Sequence, residues 1–288
     1  MTTLPSLLLL AAFSTLLATF AAGVAIALGR IVRTPIPATP GGTLTTEGRS
    51  TLRPLRYGLA LAFVLLVGAS GIRAVAVGHA PWSNLHEFSV AFAAGLVGVH
   101  LAFGRDGSLD GLAPLTAALG AGLLGLALQL DDRIEPLVPA LQQPLLLTVH
   151  VGAAALAYAV AGVAFVAAVA EISQRASGGR LPMLPGVDVA RRIGHRAVLV
   201  AFPILTIAIA LGSVWANLAW RSYWSNDPKE LAAAATWLVF GAYLHVAGRR
   251  DRWQRSAPWL IVLGFVGVLF TYIGAGLFFV GEHSYAAP

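Results

Sequence analysis

Residues 197–230 read AVLVAFPILTIAIALGSVWANLAWRSYWSNDPKE. From Ala197 to Ala219 there is no Asp, Glu, Lys or Arg, and the run exceeds the about 20 apolar residues a helix needs to cross a bilayer's hydrocarbon core. Then the character changes. Trp215, Trp220, Tyr223 and Trp224 crowd a short stretch. Asp227-Pro228, with Glu230 three places after Asp227, has the form of a capping box with proline in the first turn. The stretch reads as one membrane crossing, an aromatic turn and the start of the next crossing.

The same length rule applied outward finds runs near 6–29, 57–78, 84–103, 111–130, 144–172, 197–219, 228–247 and 257–280. The expected fold is all-α, a polytopic membrane bundle of about eight transmembrane helices forming one membrane domain over 1–288. Composition agrees: 57% of residues are hydrophobic and 11% charged, against about 25% charged in a soluble domain. The opening residues MTTLPS lack the positive n-region of a cleaved leader, so the first run is expected to be a span. Loop 30–56, rich in Pro, Gly and Thr, is expected to be irregular. No internal repeat or separate soluble domain is evident. The chain has no Cys, which excludes thiol relays and thiolate metal sites within it. The net charge is +6, but the basic residues lie in short gaps between apolar runs, not in a stripe interleaved with aromatics, which argues against a nucleic-acid partner.

Orientation follows from Arg and Lys in the loops. Loops 30–56, 104–110, 173–196 and 248–256 share one side and hold every basic residue except Arg73, Arg133, Arg221 and Lys229. These loops are expected in the cytoplasm, with both termini and the 212–230 segment outside. The expected location is the cell's inner (plasma) membrane.

Outside, the unusual residues gather. Three of the seven Trp fall between 215 and 224. An interfacial aromatic belt is the plain explanation, yet a belt spreads over all helix ends and this cluster does not. At helical spacing Trp220, Trp224 and Asp227 share a face, a flat shelf for a planar ligand. Capping the seventh span is the structural reading of Asp227 and Glu230, and Asn84 with Glu87 permits the same for the third. His150, in the second turn of the fifth span, and His283, just past the eighth, fall at a similar outer depth. Neutral imidazole is a common axial ligand of haem iron, and two at one level can clamp an iron from opposite faces. His79 and His86 are weaker outer candidates. His100 and His245 lie near the cytoplasmic ends of their spans, where an ionisable side chain is a functional candidate by default. They permit a second, inner site, although His100 is better read as bonding a neighbouring helix. His195 falls in an Arg-rich loop and reads as solvated.

These residues resemble a known family. Trp215-Ala-Asn-Leu-Ala-Trp220 and Tyr223-Trp224-Ser225-Asn226-Asp227-Pro228-Lys229-Glu230 resemble the WWD signature of cytochrome c assembly proteins, and the CcsA (ResC) branch fits best. The likeness extends to PWSNLHE at 81–87, TVHVGAAALAYA around His150, TWLVFGAYLH ending at His245 and HSY at 283–285, covering most of the chain from residue 57. It implies haem b as the bound group, a CcsB/ResB-type membrane partner, and delivery of haem at the outer face to the CxxCH motif of an apocytochrome c. The chain would then be part of a holocytochrome c synthase, a haem lyase complex. By the same resemblance His150 and His283 match the outer haem-ligating pair, with Trp215, Trp220 and Trp224 against the haem, and His245 matches the family's intramembrane His. The partner supplies the other inner ligand, leaving His100 structural. Arg221 stands where the family usually has Gly, Asn226 where it has Trp, and Ala286 where many relatives have Gly. Arg221 is then a candidate partner for a haem propionate, and Arg73 a lesser one.

Two rivals make different demands. A haem exporter or lyase subunit of the multi-subunit assembly pathway shares the Trp-rich loop and outer His pair, but the Lys229-Glu230 ending and the eight-span count favour the CcsA type. A secondary transporter of a small solute predicts broken helices and polar groups at the bilayer midplane, where this chain has no strong carboxylate.

Overall fold

The structure, a computed structural model, describes residues 3–33, 46–133, 144–248 and 255–283. It is all-helical, with no strand among the described residues. The helices are α1 (Leu4–Arg33), α2 (Thr46–Val77), α3 (Leu85–Phe103), α4 (Ala113–Ala127), α5 (Pro144–Ala176), α6 (Val187–Trp220), α7 (Pro228–Ala247) and α8 (Ala257–Leu269). A 3₁₀ turn, Asp110–Leu112, leads into α4, and α8 continues through a π turn, Phe270–Gly274, into the short α9 (Ala275–Phe278). Eight of these stretches are long and apolar enough to cross a membrane, one for each expected run.

What hydropathy does not reveal is which helix lies inside. In a bilayer, faces turned to protein and to lipid are both apolar. Here α5 is the hub, packing against α3, α6 and α8. In its most apolar window 72% of residues are buried, against 17% for α7. Its inner surface is built from small residues, Ala155, Ala157, Ala159, Ala161, Ala164 and Ala167 among them, which let neighbouring backbones approach closely. Helices α1 and α2 pack on each other and on α4 and α3 at the periphery.

Helix ends depart from the expected boundaries in a consistent way. Helix α2 starts at Thr46, so the second half of the loop expected to be irregular is helical, while 34–45 lie outside the described residues. Helix α6 starts at Val187, which puts His195 on a helix, its Nδ1 3.3 Å from the Tyr243 hydroxyl, not in a solvated loop. Helix α6 runs on beyond the apolar run with Arg191 held by a carboxylate of α5. Buried Glu171 accepts from Arg175 at 2.6 Å and from Arg191 at 3.2 Å. A hydropathy window sees only the part in hydrocarbon.

Thr3 and His283 both border cavities walled by the 81–87 segment, so the described chain starts and ends at one end of the bundle. There Asn84 caps α3, accepting from Glu87 N at 2.8 Å. Glu87 is buried and reaches back to Ser83 N at 2.8 Å and to Arg73 Nε at 2.6 Å. Arg73 therefore belongs to an ion pair and borders a different cavity from the aromatic cluster.

Candidate functional site

Two imidazoles are positioned by different means. His150 sits in the second turn of α5 and lies flat against α6. Its Nδ1 is 2.9 Å from the carbonyl oxygen of Ala208. Gly212 makes that approach possible, since a Cβ there would lie 2.7 Å from His150 Cε1. His283 arrives from the far end of the chain. After α9 the backbone turns extended at Phe279 (φ −136°, ψ 142°) and passes over the start of α7. At Gly281 a Cβ would lie 2.8 Å from Pro228 Cδ. The crossing brings His283 Nδ1 to 2.8 Å from Asp227 Oδ1, and its backbone N–H to 3.4 Å from Oδ2.

Asp227 thus has two tasks. It caps α7, accepting from Lys229 N at 2.8 Å, while Glu230 Oε2 accepts the Asp227 N–H at 3.2 Å, completing the expected capping box. It also holds His283, which the sequence did not announce. Burial pushes its carboxyl pKa up, but the hydrogen bond and charge of His283 and the backbone N–H groups of Lys229 and His283 outweigh that and hold it down at about 2. Asp227 is an anion at neutral pH. Each imidazole therefore has an acceptor, a carbonyl or a carboxylate, on Nδ1. In a neutral ring that partner holds the proton on Nδ1 and leaves the lone pair on Nε2, the arrangement found behind metal-ligating histidines.

Indoles link the two rings. Trp215, fully buried, stacks on His150 at 6.1 Å between centroids and 12° between planes. Its centroid is 5.8 Å from that of His283. Trp220 stands edge-on to both Trp215 (4.8 Å, 75°) and His283 (4.9 Å, 76°). The flat shelf expected from helical spacing does not form. Helix α6 ends at Trp220, where Arg221 takes left-handed values (φ 62°, ψ 22°), so Trp224 and Asp227 no longer share a helical face with Trp220. A loop replaces it: Ser213 Oγ donates to the Tyr223 carbonyl at 2.8 Å, and Trp224 Nε1 donates to Asn226 Oδ1 at 2.9 Å. Asn226, also left-handed at φ 61°, holds Trp224 through that bond.

His150, His283, Trp215 and Trp224 all border one cavity of about 1220 Å³ including its open mouth. Its deeper wall includes Tyr158, Thr271 and Tyr272. The π turn brings Thr271 and Tyr272 there, and the Tyr272 hydroxyl bonds Ser89 Oγ. Such turns inside helices are frequent at functional sites, yet FTYIG carries no signal that would have announced one. Among the described residues no three His, Asp or Glu side chains converge as a metal site. Two imidazoles suit instead a metal whose equatorial ligands come from a macrocycle.

The other candidates are not in this cavity. Arg221 is exposed and absent from its wall. His79 bonds the Ala80 carbonyl and His86 the Ala127 carbonyl, each at 2.9 Å. At the opposite end, buried His100 has Nδ1 2.8 Å from Thr116 Oγ1 on α4, as expected of a structural histidine. His245 is exposed on α7, and α3 and α7 share no substantial interface.

Residues 82–283, from the cavity wall at Trp82 to the imidazole of His283, match the family model described as Cytochrome C assembly protein. The chain belongs to that family. It is 32% identical over 280 residues to the cytochrome c biogenesis protein CcsA of Synechococcus elongatus, covering 79% of this chain and 86% of the relative. To CcsA of Parasynechococcus marenigrum it is 34% identical over 259 residues, covering 79% and 84%. Among solved structures, the Cytochrome c Heme Lyase CcmF superposes with a TM-score of 0.64 at 19% identity. That match covers 93% of this chain but 46% of CcmF, so it bears on the fold alone. This cytochrome c assembly protein is a multi-pass membrane protein, and its matched region begins at the turn before α3, leaving α1 and α2 outside.

Proposed function

We propose that this cytochrome c assembly protein binds haem b between His150 and His283 and presents it to apocytochrome c. The observation that carries the proposal is that both imidazoles border one aromatic cavity with Nδ1 already committed, which directs Nε2 to act as ligand. The Arg-rich loops orient the bundle with this end outside the cytoplasm, in the plasma membrane, and the whole chain serves as one membrane domain.

The protein's part is positional. Asp227 and the Ala208 carbonyl hold the imidazoles in one tautomer, Trp215 and Trp224 shield the bound substrate from water, and Trp220, outside the cavity wall, backs Trp215 and His283. A histidine of the incoming CxxCH motif replaces one of the two imidazoles, bringing its cysteines beside the vinyl groups. Each S–H then adds across a vinyl C=C, a step without leaving group or oxidant, so proximity and orientation are what the protein contributes. The chain acts as part of a holocytochrome c synthase with a CcsB/ResB-type partner. His245, exposed on α7, is the residue that by the resemblance shares an inner haem with that partner.

Replacing both His150 and His283 by Gly tests this reading. The expected result is loss of the haem Soret band from the purified protein and loss of cytochrome c maturation in cells. Normal maturation by the double variant would reject the site.

A further inference from the structure

A porphyrin with propionates has an anionic edge, and the sequence pointed to Arg221 as its partner. The structure points elsewhere. Arg221 is outside the cavity wall, Arg73 is paired with Glu87 at 2.6 Å, and exposed Arg133 is paired with Asp131 at 2.9 Å. Among the described residues, Lys229 is the one Lys or Arg that lines the cavity.

The charge of Asp227 acts on the ammonium, but the hydrogen-bonding oxygens of the nearby acids are taken. Lys229 is the second residue of α7, two places after the carboxylate that holds His283. The neighbouring acids are engaged: Asp227 with His283 and the Lys229 backbone N–H, and Glu230 with the backbone N–H groups of Asp227 and Ser225 and the Ser225 hydroxyl. The side chain is partly buried, and its stem runs past Gly276, where an added Cβ would lie 4.0 Å from Lys229 Cε. Around it the cavity is mostly apolar, with Leu147, Val151, Leu205 and Ile209 in the wall. A cation against such a wall is stabilised by an anion delivered with the ligand.

Resting on the haem reading above, we infer that Lys229 is a positioning and specificity residue whose ammonium binds a carboxylate of the porphyrin. It fixes the rotation of the ring about the His150–His283 axis and selects an acidic macrocycle over a neutral one.

The test compares haem with its dimethyl ester, in which both carboxylates are capped, by titrating full-length protein in detergent and following the Soret band. Wild type is expected to bind haem more tightly than the ester by roughly ten-fold or more, as one charge-assisted hydrogen bond allows. Lys229→Gln should bind the two alike, while keeping the absorption bands of two-imidazole ligation. Lys229→Arg should restore the preference, and Arg221→Gln should leave it intact. If Lys229→Gln weakens haem and ester by the same factor, or keeps the wild-type preference, the inference is overturned. A wild type that binds neither porphyrin would instead sink the haem site itself.

Discussion

The two ends of the bundle each carry a pair of histidines at matching depth, and the fold treats them differently. At one end His150 and His283, far apart in sequence, border a common cavity, each braced through Nδ1. At the other, His100 is sealed in the core against Thr116, whereas His245 is exposed on a peripheral helix. Matching depth is therefore not enough to make a site. Convergence at the first end depends on glycines that admit close approach and on an acceptor for each ring. At the second, a partner chain would have to supply what the bundle does not.

The largest effect that would sharpen this contrast comes from the brace at the first end. Asp227→Asn keeps a good helix cap but removes the carboxylate behind His283. Haem retention should fall by about ten- to hundred-fold, as is typical when such a partner is lost, read from the Soret band after size-exclusion chromatography. Next, Gly212→Ala pushes a Cβ into the His150 ring and should weaken haem binding by roughly ten-fold without loss of the folded protein. Haem binding unaffected by either change would erase the distinction between the ends.

Changes at the second end should leave the outer site alone. His100→Leu combined with Thr116→Val replaces both partners of a buried polar pair, including an Nε2 that has no hydrogen-bond partner. Thermal stability in detergent should change by no more than about 1 kcal/mol, with the haem spectrum intact. A lost spectrum would make His100 part of a haem site. An effect of the same small size is expected at the end of α6, off the cavity wall. Arg221→Gly removes a side chain from a left-handed position and should stabilise the protein by about 1 kcal/mol, visible as a higher melting temperature.

Much of this was legible in the sequence, and the residues say why. The eight spans follow from uninterrupted apolar length, and the α7 cap follows from Asp-Pro with Glu230 in register. His150 and His283 were marked by depth and by resemblance. The backbone at Arg221 and Asn226 was not legible as conformation, although the Gly that the resemblance implies at the first position would suit a helix closing in the left-handed region. The flat shelf failed for the same reason, because helical spacing was carried past the end of α6 at Trp220 to Trp224 and Asp227. The His283–Asp227 contact joins residues 56 apart, and no local pattern encodes it. Nor does hydropathy separate α5, buried on nearly all sides, from α7, because lipid and protein interior look alike to it.

Chemical rescue tests the two-imidazole site most directly. In His150→Gly and His283→Gly singly, the Soret band of bound haem should be lost or shifted and return when imidazole is added to the purified protein. If either variant keeps the wild-type spectrum with no imidazole present, that histidine is not a ligand and the convergence of the two rings has another purpose.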